Sequence, residues 1–65
     1  MKAYELVKRL QQIGVAADMD AATAEELSEM KAGSAACYAW MLGRVSGMIA
    51  GLVECIETYG VESDA

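Results

Sequence analysis

Apolar residues fill the second half of this 65-residue chain almost without a gap, and in the first half they recur at helical spacing. Between Ala32 and Val53 the single charged residue is Arg44. At 100° per residue, Met41, Val45, Met48, Leu52 and Cys55 fall on one face of a helix. Leu42, Ile49, Val53 and Ile56 form a second face, and Ala36, Trp40, Gly43, Gly47 and Ala50 a third stripe of mostly small residues. A helix that is apolar all round is either buried all round or lies in lipid.

The N-terminal part reads as a separate helix. Ala3, Leu6, Val7, Leu10 and Ile13 give a clean stripe, and Glu5 precedes Arg9 by four residues in the favourable order. Gly14 is placed to take the left-handed position that ends a helix, with Val15 folding back on Leu10. Asp18 and Asp20 can each cap the next helix, and Thr23 with Glu26 fits a capping box. The expected fold is all-α: a helical hairpin of a short helix over 2–13 and a long Gly/Ala-rich helix over 21–59. The one break or kink allowed in the long helix is at Gly33-Ser34, where Ser34 can cap a new helix. Gly60 ends the long helix, and 60–65 reads as a frayed acidic tail of a single small domain.

These lengths imply a partner. The long helix would run roughly 58 Å and the short one roughly 18 Å, so most of the apolar surface lacks cover. Gly43, Gly47 and Gly51 repeat every fourth residue, and each interior glycine costs a helix about 1 kcal/mol relative to alanine. Such spacing lets two helix axes approach closely. The expected oligomer interface is therefore Trp40, Gly43, Gly47, Ala50 and Gly51, packed against a second copy in a homo-oligomeric bundle. A two-fold near Ile49 would bring Arg44 to Glu54 of the partner subunit. One near Ser46 would instead bring Cys37 to Cys55 of the partner subunit. The first register supplies the lone buried cation with a carboxylate and is preferred.

Composition narrows the chemistry. There is no histidine, so the usual general base at neutral pH is missing, and no catalytic motif is present. No catalytic residue, metal ligand set or cofactor is assigned, and Glu26/Glu29 and Glu54/Glu57 read as solvated carboxylate pairs. Cys37 and Cys55 lie about 27 Å apart along one helix, beyond disulfide reach, which suits a reducing, cytoplasmic setting. The formal charge of −5 disfavours phosphate-backbone binding, and hence nucleic acid. The periodic N-terminal stripe does not match a signal peptide. Arg44 at its midpoint and the abundance of Ala, Gly and Ser weigh against a bilayer span.

The expected function is that of a non-enzymatic, acidic helical homo-oligomer, an accessory or inhibitory protein acting on a macromolecular target through its acidic faces. Tyr38, Trp40 and Arg44 support an alternative, in which an anionic or nucleotide-like small molecule is sequestered where protomers meet. A membrane-associated helix is the second alternative.

Overall fold

A computed structural model describes residues 1–64 as two long antiparallel helices, α1 (Ala3–Glu29) and α2 (Ala35–Tyr59). Among the described residues there is no strand, only an isolated bridge between Lys2 and Glu62. The chain is thus an all-helical hairpin.

Its helix boundaries differ from those the sequence suggested. The expected short helix does not stop at Gly14, and the expected long helix does not run from 21 to 59. Instead α1 spans 27 residues, α2 spans 25, and the turn falls at 30–34. The reason lies in the stripe of α1. The Ala3–Ile13 pattern continues without a change of phase through Ala16, Ala17, Asp20, Ala24 and Leu27, all of them partly buried. A mid-helix glycine costs about 1 kcal/mol, which the alanine-rich stretch that follows can absorb. Asp20 caps nothing, because its carboxylate is engaged by α2. Thr23 bonds back to the Met19 carbonyl at 3.0 Å, as a serine or threonine inside a helix does, and forms no capping box.

The turn is built by capping chemistry. Ala32 donates to the Leu27 carbonyl (2.9 Å) and Lys31 to that of Ser28 (3.1 Å), the paired bonds of a Schellman motif. Lys31 occupies its left-handed position at φ 53°, where glycine is usual. Gly33 lies against Tyr38: a Cβ there would come 2.6 Å from the ring's Cζ, so the Tyr38 side chain would have to move. Ser34 opens α2 in extended conformation, its hydroxyl accepting from the Cys37 amide at 3.2 Å.

At the other end the chain closes on itself. Gly60 ends α2 at φ 68°. The next residues then run beside the start of α1. Met1 nitrogen donates to the Gly60 carbonyl (2.9 Å), Glu62 to Met1 (2.8 Å) and Ala3 to Glu62 (2.9 Å). Lys2 and Glu62 pair at 3.2 Å, and Asp64 accepts from the Tyr4 amide at the N-terminus of α1. The described part of the tail, 60–64, is therefore a clasp where fraying was expected; Ala65 lies outside the described residues.

What the hairpin lacks is an interior. Met41 and Leu52 are the only buried residues among those described. The Cα atoms extend 50 × 19 × 6 Å and their radius of gyration is 15.2 Å. A globular chain of this length would have a radius near 11 Å. The molecule is one helix thick, with solvent on both broad sides.

Candidate functional site

Arg44 is the point where the two helices are tied together. It lies midway along α2 on the side turned toward α1, and Asp20 lies opposite on the continuing stripe of α1. The guanidinium donates through Nη2 to Asp20 Oδ1 (2.5 Å) and through Nε to Oδ2 (3.3 Å), a two-point match of fork to carboxylate. Nη2 also reaches the Ala16 carbonyl at 3.4 Å. Four residues before Arg44, the Trp40 ring carries the cation on its face, 5.5 Å from guanidinium carbon to ring centre. The Asp20 side chain keeps 15% of its exposure and that of Arg44 keeps 35%, so the pair is shielded without being dry.

Arg44 was expected to find its carboxylate in Glu54 of a partner subunit; within its own chain it already has one in Asp20. The expected pairing rested on Arg44 being a buried charge with no counter-ion in its own chain. Asp20 is that counter-ion. Glu54 instead borders a small polar depression with Arg9, Gly51, Cys55, Thr58 and Tyr59. The candidate anion site is also divided. Trp40 and Arg44 come together, but Tyr38 is rotated about 200° from Trp40 around the helix and lines the opposite side of the hairpin. The face of Arg44 that would have gripped an anion holds a carboxylate.

The glycine stripe does not pack on α1. A Cβ built at Gly43, Gly47 or Gly51 would meet nothing within 4 Å. Gly43, Gly47 and Ala50 are exposed, Gly51 is half-buried, and Trp40 keeps 63% of its exposure. Within the chain nothing makes use of these glycines.

A further feature escaped the sequence reading. On the side of the hairpin away from Trp40, a groove of about 390 Å³ runs along the loop-proximal half. Ala17, Ala21 and Ala24 line its α1 side, and Tyr38, Leu42 and Val45 its α2 side. The signal was present as alanines spaced by four and three residues after Leu10 and Gly14, but it is invisible if the helix is ended at Gly14. Cys37 and Cys55 are free thiols, half-buried. No group of three metal-ligating side chains forms among the described residues. Comparison with protein-family models, with curated proteins and with solved structures finds no match.

Proposed function

We propose that this chain is a non-enzymatic accessory protein that works as a self-assembled helical bundle and engages a macromolecular partner through its acidic surface. One observation carries the first half. Two buried side chains serve 64 described residues, while Val7, Leu10, Trp40, Leu42, Ile49 and Val53 each keep between 46% and 74% of their exposure. A core of that size does not offset the conformational entropy of ordering the chain, and small scaffolds commonly make up the deficit by oligomerising. The second half rests on charge. Asp18, Glu25, Glu26 and Glu29 line α1 toward the loop, and Glu54, Glu57, Glu62 and Asp64 gather near the clasp. Acidic surfaces of this kind attract a basic surface on another macromolecule and repel phosphate backbones.

Sedimentation equilibrium over a wide concentration range tests the assembly, with a mass at a multiple of 6.9 kDa expected. A 6.9 kDa species at every concentration removes it. The partner half is tested by affinity capture from the native cell with wild type and a Glu26→Lys, Glu29→Lys variant, both on the outward side of α1 and outside the stripe of Val7 and Leu10. A protein held equally by both does not bind through these carboxylates.

A further inference from the structure

On one broad face of the hairpin Val7 and Leu10 of α1 lie with Leu42, Ile49 and Val53 of α2, while the exposed Val15 and Met19 lie on other sides of α1. At 100° per residue, Val7, Leu10, Gly14, Ala17 and Ala21 share one side of α1. Leu42, Val45, Ile49, Val53 and Ile56 share one side of α2. The groove, whose lining draws on both sets, shows that the two sides form one surface. That surface has relief. Its loop-proximal half is the alanine-lined groove, and its clasp-proximal half carries the larger side chains of Val7, Leu10, Ile49, Val53 and Ile56.

We propose that this face binds the same face of a second copy, the two hairpins crossing end over end to make an antiparallel four-helix bundle. The inference rests on the self-assembly reading above and says which surface performs it. Area is the first support. The Cα atoms span 50 × 19 Å across this face, long and wide enough to seat a contact of standard size, which buries roughly 800 Å² on each partner. Shape is the second. A two-fold interface must be complementary to itself. An axis lying across the helices places the larger side chains of each copy in the groove of the other. An axis running along them would set the larger side chains on one another and groove on groove.

Charge supports the same choice. The first seventeen residues carry Lys2, Lys8 and Arg9 against Glu5, whereas Asp18, Asp20, Glu25, Glu26 and Glu29 follow against Lys31 alone. End-over-end packing lays the positive half of α1 along the negative half of the partner's α1. The alternative would join the two acidic loop ends. Gly14 fits the same choice, although Gly43, Gly47 and Gly51 are equally uncovered by their own chain. It is an interior helical glycine with nothing of its own chain within 4 Å of a built Cβ. In the proposed bundle it sits beside the two-fold axis, where α1 and the partner's α1 come closest. Leu10 then seats on Ala21 of the partner subunit, and Leu42 meets Val53 of the partner subunit.

Cross-linking tests the arrangement without depending on a variant that must stay monomeric and folded. In a Cys37→Ser, Cys55→Ser background, Leu42→Cys and Val53→Cys proteins are unfolded, mixed and refolded together under mild oxidation. A mixed disulfide dimer is expected, with little homodimer of either. In parallel, Ala21→Arg should weaken self-association at least about 100-fold by placing a charge in the covered groove, and Gly47→Leu should change it less than about threefold. Dissociation by Gly47→Leu with no mixed disulfide would overturn the face and return the contact to the glycine stripe, leaving self-assembly standing. A wild-type protein that is monomeric at every concentration would remove the underlying reading itself.

Discussion

Replacing Arg44 by Met removes the one polar tie between the middles of α1 and α2, and the size of the loss can be worked from the geometry. Two charge-assisted hydrogen bonds to Asp20 disappear, each of a kind worth about 1.5–3 kcal/mol. Asp20 is left mostly covered with no counter-ion, which in a dry site costs 3–5 kcal/mol. About a third of the guanidinium side chain remains exposed, so the solvated end of the scale applies and a net loss near 2 kcal/mol is expected. Asp20→Leu alone should cost a similar amount by stranding the cation, although the Trp40 ring retains part of its stabilisation. The double variant Arg44→Met, Asp20→Leu should recover most of the loss, because a well-packed apolar pair often equals a shielded ion pair. Urea denaturation of the four proteins at one fixed concentration gives the coupling energy, expected between about 1 and 3 kcal/mol. A coupling below about 0.3 kcal/mol would mean the pair holds nothing, and the account of how the hairpin keeps its register would be wrong.

Three further outcomes are expected. Lys31→Gly should raise the melting temperature by several degrees, since a left-handed lysine costs about 1–2 kcal/mol and glycine sits there freely; a lower melting temperature would contradict the Schellman turn. Gly33→Ala should destabilise by about 1–3 kcal/mol through collision with Tyr38, and Gly33→Ala with Tyr38→Ala should lose less than the two single changes together. Asp64→Ala should speed amide hydrogen exchange at Ala3 and Tyr4 and cost about 0.5–1 kcal/mol, whereas unchanged exchange would show that the clasp does not hold the start of α1.

The helical character and the hairpin were legible in apolar spacing, and Gly60 as a stop in residue type, whereas Ser34 as a cap was the alternative to a helix expected to run on from 21 to 59. The turn was misplaced because local signals were ranked by residue type. Gly14 looked like a stop and Asp18 and Asp20 like caps, and that reading outweighed a stripe that never changed phase. The real turn was visible only as a permitted break at Gly33-Ser34, since its left-handed residue is Lys31, a residue type that does not favour that conformation. The cation–π pair of Trp40 and Arg44 was readable because it is an i, i+4 relation within one helix. Its carboxylate was not, because Asp20 and Arg44 are brought together only once α1 is known to run past residue 20. The groove followed the same error. Ala17, Ala21 and Ala24 have meaning only as the small side of a continuous helix.

The two helices differ in what their backs can tolerate, and this bears on the membrane alternative. α2 is long and apolar enough to cross a bilayer, and its outward edge is uncharged from Ala36 to Ala50 but carries Glu54 and Glu57 in its last turns. The back of α1 carries Lys8, Asp18, Glu26 and Glu29. Were α2 to enter lipid alone, Arg44 would have to leave Asp20 and cross at a cost of about 2.5–3.5 kcal/mol beyond the lost pair. Were the hairpin to enter whole, every charge on α1 would add a cost of that order. A second protein surface imposes neither cost, since it can cover α2 while α1 stays in water with its charges and the Arg44–Asp20 tie intact.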